Sequence, residues 1–388
     1  MGIVPAPGVQ GCVVRARLFR QITVESGEPP ELSTIDVYAA LPPVQEEGIV
    51  EATLLLRVDD VGHTRGSLES PTELLAGAAD FSQVGEWPKA QRVPCTGAAA
   101  PGEVCVPGGA FWMGHPYSGL HEEGADASES RLVVMSPFYV DLHEVTVGQY
   151  RASGLATLEG GSSVDPLAGP PDAPPEEGAL TPDDPQFYCT YSDAPLSAKK
   201  SREDLPVNCI SWVAADAYCA AQGKRLPSEA EFEYVASALR SELFVWGTEA
   251  NSLGCADGVW ERAGLLLGGY DDLCRPHEEL AGPLPAGYGV RDRLLLGERE
   301  VLDLVGNVSE WTRDTWNRTS EWCWSGRSLL ENPECDLPSV ADAGTEGRLH
   351  TVKGSNWASR PYPAARRAGR DGHSPARGFR CVRPGTEP

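Results

Sequence analysis

Eleven cysteines constrain this chain more than any other feature of its sequence. No two of them stand in a CxxC spacing, so the pattern does not indicate a zinc site or a thioredoxin-like motif. Cysteines in this number favour disulfides, which persist in oxidising compartments. We therefore expect a bacterial protein that is secreted, periplasmic or at the cell surface. The opening MGIVPAPGVQGC shows no export signal, so either a signal has been removed or the protein is cytosolic.

The charge balance excludes some classes of partner. The sequence contains 56 Asp and Glu against 32 Lys and Arg, a formal charge of −24. A chain of this sign is unsuited to non-specific binding of nucleic acid or of anionic membranes. No apolar run approaches the roughly 18 residues of a membrane-spanning helix, so we expect no transmembrane segment. The 42 Gly and 33 Pro indicate many turns and loops.

The first part of the chain reads as a small all-β module. Alternating, β-branched segments at 12–24, 34–41 and 49–58 are separated by turn-rich pieces. We place this module at 1–93 and assign it no role. Residues 94–388 form a second unit, with a Pro-, Gly- and acid-rich insertion at about 155–186.

Two helices are predicted in the second unit. SWVAADAYCAAQG begins with Ser211 as an N-cap and ends before Gly223, which suits a left-handed C-cap. SEAEFEYVASAL opens with Ser228 and Glu231 in capping-box spacing. Two short helices in so long a unit leave most of it to strands and loops.

Six motifs of the second unit follow one another in a familiar order: VCVPGGAFWMG, MSPFYVDLHEVTVGQY, LPVNCISWVAADAYCAAQGKRLPSEAEFEYVA, LDLVGNVSEWT, KGSNW and GFRC. Together they resemble the formylglycine-generating enzyme family, also called the sulfatase-modifying factor domain, over roughly residues 101–384. The resemblance implies a loop-rich α+β fold related to C-type lectins, preceded here by the all-β module.

Members of that family oxidise a sulfatase cysteine to formylglycine with a cysteine pair that holds copper. Thiolates suit this chemistry because soft sulfur ligands favour Cu(I). Laid on KGSNWASRPYPAARR, the two positions fall at Ser359 and Ala364. Ser is a poor ligand for Cu(I) and Ala offers no donor atom. Copper is therefore not expected, and neither are catalytic residues of the family's kind.

The resemblance also implies a disulfide between Cys219 and Cys381. The other cysteines are paired by their proximity in the sequence, although several could instead be buried thiols. The proximity pairs are Cys95 with Cys105, Cys189 with Cys209, Cys255 with Cys274, and Cys323 with Cys335, which leaves Cys12 over.

Family members bind calcium in the segment LDLVGNVSEW. Carried over by residue, the ligands would be the side chains of Asp303 and Glu310 and the carbonyl groups of Gly306 and Val308, which are oxygen donors of the kind Ca²⁺ prefers. A second, weaker site would use Asp257. The alternative is that the two carboxylates cap a turn or pair with Arg313.

These features favour a non-catalytic, exported, calcium-containing pseudoenzyme with a binding or scaffolding role. Its partner would be a protein, a peptide or a glycan. The groove that grips the substrate in active relatives would remain as a recognition surface, with Trp357, Arg360 and Tyr362 as candidate contacts.

Catalysis stays open as the alternative. Relatives with this domain include nonheme-iron sulfoxide synthases, so a metal-dependent oxidase or oxygenase acting on a thiol or peptide would need ligands outside the family pattern. Cys323 and Cys335 could also reach the site as free thiols. A Ser359, Asp371 and His373 hydrolase is a further possibility, but no GxSxG motif accompanies it.

Overall fold

The computed structural model describes most of the chain. The predicted insertion between 156 and 184, Tyr362 and Ala364 lie outside the described residues. The described residues are 11–20, 29–43, 51–74, 82, 84–114, 130–155, 185–191, 202–247, 253–263, 274, 282–319, 321–326, 328–338, 348–361, 366–370 and 374–386.

An N-terminal sheet of four strands forms the first layer. Its centre is an antiparallel pair in which Val13 lies opposite Ala40 and Phe19 opposite Thr34. Two short strands then add parallel to the second strand of that pair. The strands are β1 (Val13–Phe19), β2 (Thr34–Ala40), β3 (Thr64–Arg65) and β4 (Thr72–Glu73).

The third strand predicted for this module, 49–58, is wrong in its described part. Residues 51–57 have no strand assignment. Leu54 and Leu56 nevertheless pack against the buried cluster of Ile35 and Val37. The alternating apolar pattern therefore reflects the packing of side chains from a segment that does not pair with a neighbouring strand.

The described residues after the N-terminal sheet form three small sheets and one hairpin. Their strands are β5 (Glu103–Val106), β6 (Gly109–Met113), β7 (Arg131–Met135), β8 (Phe138–Asp141), β9 (Arg293–Leu296), β10 (Arg299–Leu302), β11 (Ser309–Thr315), β12 (Leu330–Glu331), β13 (Leu349–Lys353), β14 (Arg366–Arg370), β15 (Arg377–Gly378) and β16 (Val382–Pro384). Strand order is β16-β8-β5 in one sheet, β12-β7-β6 in the next and β14-β13-β11-β15 in the third, and β9 pairs with β10 in the hairpin.

In the part of the chain that the structure describes, three α-helices accompany these sheets, and two of them were expected. In α2 (Trp212–Ala221), Ser211 caps the first turn, and Gly223 adopts a φ of 68° just after the helix. In α3 (Glu229–Ala236), Ser228 and Glu231 form the predicted capping box. The short α1 (Val147–Ala152) was not predicted, although it also begins with a capping box. The expected loop-rich α+β fold is confirmed.

The N-terminal sheet packs onto the sheet of β6 and β7. Ile35, Val37 and Val61 form one buried cluster with Leu132 of β7. The Ser328 hydroxyl, close to β12, donates a 2.6 Å hydrogen bond to the Leu32 carbonyl. The module therefore shares a core with the unit that follows it. Within the described part of the chain, no helix is long and apolar enough to cross a membrane.

Candidate functional site

The segment that resembles the family's active-site loop, residues 354–360 and here called the site loop, follows β13. Its backbone is bonded on both sides. The N–H groups of Ser355 and Trp357 donate to the carbonyls of Val305 and Asn307, each at 2.8 Å. On the other side, the Trp357 carbonyl accepts from the Arg262 N–H at 2.8 Å. The loop is thus held between the 305–307 turn and the 261–262 segment.

Side chains within the loop complete its hydrogen bonds. The Ser309 hydroxyl of β11 lies 3.1 Å from the Gly354 and Ser355 carbonyls and accepts from the Asn356 amide at 3.0 Å. The Asn356 side-chain oxygen accepts from the Ala358 N–H at 2.9 Å. A buried amide that donates and accepts in this way fixes a loop rather than exposing a reactive group.

Ser359, the first lost cysteine position, also takes part in this local network. Its hydroxyl accepts from the Asn356 N–H at 3.3 Å, and its carbonyl accepts from the Glu261 N–H at 3.1 Å. Ala364, the second position, lies outside the described residues, as do Asp371 and His373 of the hydrolase alternative.

The predicted recognition surface needs one correction. Trp357 is fully buried, its indole N–H donates to the Pro375 carbonyl at 2.9 Å, and its ring centroid lies 5.4 Å from that of Tyr188. It therefore anchors the loop and offers no surface to a partner. Arg360 does lie at the surface, with 49% of its side chain exposed, and pairs with Glu261 at 2.8 Å. Tyr362 lies outside the described residues.

The predicted calcium ligands form part of a buried charge cluster. The Glu310 carboxylate receives three contacts of 2.6–2.9 Å from the Arg380 guanidinium. The same guanidinium donates to the Leu302 and Asp303 carbonyls at 2.9 Å. Asp303 accepts from the Gly287 N–H at 2.7 Å through one oxygen. Burial raises the pKa of both Asp303 and Glu310.

These contacts do not fit a calcium ion at Glu310, because the Arg380 guanidinium already pairs with both oxygens of that carboxylate. One oxygen of Asp257 accepts from the Gly254 N–H at 2.7 Å, and the Gly306 N–H donates to Asp292, a contact that does not involve the predicted carbonyl ligand. Across the described residues, no group of three or more His, Cys, Asp or Glu could hold a metal. The calcium assignment stays a prediction, and these contacts do not favour it.

Thiols are the groups that the family's chemistry needs, and the structure accounts for all eleven. Ten form disulfides, in the same five pairs that the sequence suggested, and Cys12 is half-buried and free. The alternative of a free Cys323 and Cys335 is wrong, because these two are bonded to each other. No cysteine lies between Cys335 and Cys381 in the sequence, so no alignment of the site loop restores a pair.

The fold and the site together define an α+β domain that contains disulfides. Its site loop is held by hydrogen bonds beside the buried ion pair of Glu310 and Arg380. The family model described as the sulfatase-modifying factor enzyme 1-like domain matches residues 89–384, and the chain belongs to this family. The recognition made from the six motifs is confirmed. Residues 1–88 lie before the match.

Known relatives carry names of both kinds, active and inactive. The formylglycine-generating enzyme of Thermomonospora curvata is 28% identical over 73% of this chain and 93% of its own length. That of Bos taurus is 27% identical over 55% of this chain, which spans 58% of the bovine protein. The inactive C-alpha-formylglycine-generating enzyme 2 of Mus musculus is 28% identical over 56% of this chain and 70% of its own.

Among solved structures, PvdO from Pseudomonas aeruginosa aligns with 21% identity and a TM-score of 0.44, over 74% of this chain and all of PvdO.

The sequence did not reveal the residues that hold the site loop. Glu261 lies 99 positions before Arg360, and Ser309 lies 47 positions before Asn356. One signal was available for Ser309: it stands inside the LDLVGNVSEW motif. Glu261 lies in no motif, and no local pattern could have found it.

Proposed function

We propose that this chain is a non-catalytic member of its family, which acts outside the cytoplasm by binding a protein, peptide or glycan partner or by serving as a scaffold. One observation carries the proposal: ten of the eleven cysteines are in disulfides and none stands in the site loop.

The chemistry explains why that observation matters. Cu(I) is held by thiolates, and the sulfur of an intact disulfide is not a thiolate. Cys12 alone cannot make a pair. The Ser359 hydroxyl, which accepts a backbone hydrogen bond, is a weak ligand for a soft metal. A relative with an inactive name, in Mus musculus, makes loss of activity a reasonable outcome within this family.

Two further features support a binding role in an oxidising compartment. Five disulfides are compatible with a secreted or periplasmic protein. The site loop is hydrogen-bonded on both sides, and Arg360 lies at its exposed end beside Glu261, with 49% of its side chain exposed. Arginine at a surface suits the recognition of carboxylate groups. Of the three residues proposed for the recognition surface, Arg360 is the one that the described residues place at the surface.

The first experiment asks whether the chain oxidises a cysteine. We expect no aldehyde when the full chain is incubated with Cu(I), oxygen, a reductant and a sulfatase-derived cysteine peptide, with the Thermomonospora curvata relative as positive control. Mass spectrometry of the peptide provides the readout. Catalytic formation of formylglycine by this chain would overturn the proposal.

A paired variant tests the mapping of the lost cysteines independently. The double substitution S359C/A364C should give the chain a thiolate pair, and we expect it to retain Cu(I) that the wild type does not retain. If the double variant also fails to retain copper, the mapping is wrong while the non-catalytic proposal stands.

Metal analysis of the wild type prepared without chelator addresses calcium. One equivalent of calcium at the predicted site would require Arg380 to release Glu310, contrary to the contacts described above. Absence of bound calcium after dialysis against the ion would rule out the predicted calcium sites.

A further inference from the structure

A polar groove of about 450 Å³ lies between α1, α2 and the 100–102 segment. Its volume falls in the range of about 300–1,000 Å³ that is typical of small-molecule sites. Asp141, His143, Tyr218 and Lys224 supply its main polar groups, and Cys381 borders it. None of these residues belongs to the site loop or to the predicted calcium ligands.

The charges of the groove wall are already paired. Lys224 Nζ lies 2.5 Å from Asp141 Oδ1 and 3.0 Å from the Oε2 atom of the buried Glu103. The other Asp141 oxygen accepts from the Cys381 N–H at 2.9 Å. Glu103 also pairs with Arg383, so these two carboxylates and two cationic side chains carry no net charge together. A charged ligand would have to displace one partner of these ion pairs.

Hydrogen-bonding capacity nevertheless remains. The ammonium of Lys224 has three N–H groups and uses two, and each Asp141 oxygen can accept a second bond. His143 Nδ1 lies 2.7 Å from the Glu144 carbonyl, which can only accept, so Nδ1 is the donor in this contact. The groove therefore presents donors and acceptors side by side.

Tyr218 supplies a hydroxyl that can both donate and accept a hydrogen bond, on a ring whose position is fixed by packing. The residue is only 7% exposed, and its ring stacks on Tyr150 at 5.7 Å and meets Phe379 edge-on at 5.4 Å. Tyr218 lines the groove, and its hydroxyl makes no hydrogen bond to the described residues. Burial and the nearby Asp141 charge raise its pKa, so the hydroxyl keeps its proton.

We propose that this groove binds a neutral polyhydroxylated ligand of the size of a mono- or disaccharide. Each hydroxyl of such a ligand both donates and accepts, so it matches the mixed free capacity of Asp141, Lys224 and Tyr218 without breaking their ion pair. The proposal adds a ligand site to the binding role above and does not depend on whether the site loop is catalytic.

The test uses the full chain and a panel of D-glucose, D-galactose, D-mannose, N-acetyl-D-glucosamine and sucrose at about 20 mM, which detects dissociation constants in the millimolar range. Ligand-observed NMR reports binding. The variant Tyr218→Phe removes the hydroxyl and keeps the ring in its stack. Loss of one hydrogen bond should weaken binding about 2- to 10-fold.

Tyr191→Phe is the matched control. Tyr191 is also 7% exposed and lies edge-on to the same Tyr150 ring at 6.2 Å, but it does not line the groove. We expect this variant to bind as the wild type does. The proposal is overturned if no sugar of the panel binds, if Tyr218→Phe binds unchanged, or if both variants lose binding equally.

A second panel separates the proposal from a charged ligand. Glycine, lysine and glucuronate offer a zwitterion, a cation and an anion of small size. Binding of any of these in preference to the neutral sugars would show that the ion pair opens and would overturn the proposed ligand class.

Discussion

Asp314 is a buried acid whose pKa lies close to physiological pH. It lies in β11, fully buried, and accepts from the Glu229 N–H at 2.6 Å and the Cys335 N–H at 2.7 Å. Burial, with a contribution from the Glu229 charge, raises its pKa from 3.8 to about 8. Its carboxyl group links the first residue of α3 to Cys335 of the Cys323–Cys335 disulfide. A change in its charge therefore acts on the packing of both elements.

This shift predicts how stability depends on pH. Between pH 3.8 and about 8 the folded state keeps the Asp314 proton while the unfolded state has lost it. The free energy of unfolding should therefore fall as pH rises through this window, by at most about 1.4 kcal/mol per pH unit from this group. Asp314→Asn should remove this part of the slope, measured by denaturant unfolding at several pH values.

The exposed Asp204 provides the control for that series. Asp204→Asn should leave the slope as in the wild type, because a substitution at an exposed position changes the free energy of unfolding little. Equal slopes for the wild type and Asp314→Asn would mean that the two backbone hydrogen bonds outweigh burial and that Asp314 is ionised throughout.

Among single residues, the sequence predicted which catalytic cysteines are missing better than it predicted which side chains are in contact. The absence of cysteine at Ser359 and Ala364 can be read directly, because it needs only a motif and a count. Trp357 was placed on the surface because the resemblance implied a substrate-gripping groove at this loop. Its partner Pro375 stands 18 positions away, and Arg380 stands 70 positions from Glu310. Such pairs are set by the fold.

Helices α2 and α3 were predictable because their ends carry strong local signals. Ser211 and Ser228 accept from the backbone at the first turn, and Gly223 allows the positive φ that ends the first of them. The six residues of α1 are too few to show a helical period. Strand β1 was predicted, whereas the two-residue strands β3 and β4 depend on their neighbour β2.

Disulfides tie these elements together, and the bond that joins α2 to the residue before β16 closes the longest loop. Cys219 and Cys381 are 162 positions apart, against 10 for Cys95 and Cys105. In the chain-entropy model, stabilisation grows with the logarithm of loop length. We expect C219A/C381A to lower the free energy of unfolding by about 2 kcal/mol more than C95A/C105A does.

Denaturant unfolding of the two double variants, side by side, measures this difference. C95A/C105A serves as the control, since it removes the same bond type from a short loop. Equal losses would indicate that packing around the removed sulfurs, and not loop length, sets the cost.

For the whole molecule, the main question is how the N-terminal module relates to the family domain. Composition placed a boundary at residue 93, and the family match begins at residue 89. The buried cluster crosses that boundary, because Ile35 and Val37 pack with Leu132. No sequence pattern predicts this docking. An apolar strand face indicates that the face is buried, but it does not indicate which element covers it.

A shared core predicts that both parts unfold together. Ile35→Ala and Leu132→Ala lie on opposite sides of the interface, and each should lower the free energy of unfolding by about 2–5 kcal/mol. Both should move a single transition seen by circular dichroism and tryptophan fluorescence. Leu68→Ala, at a side chain that is 65% exposed, should change stability by less than about 0.5 kcal/mol.

The double variant decides between a shared core and a module that unfolds independently. If Ile35 and Leu132 support one core, their combined loss should differ from the sum of the single losses by about 0.5 kcal/mol or more, because residues of one cluster are coupled. If Ile35→Ala instead produces a separate early transition, and leaves the midpoint of the family domain in place, the module is an independent folding unit. Residues 89–384 would then carry the proposed binding role on their own.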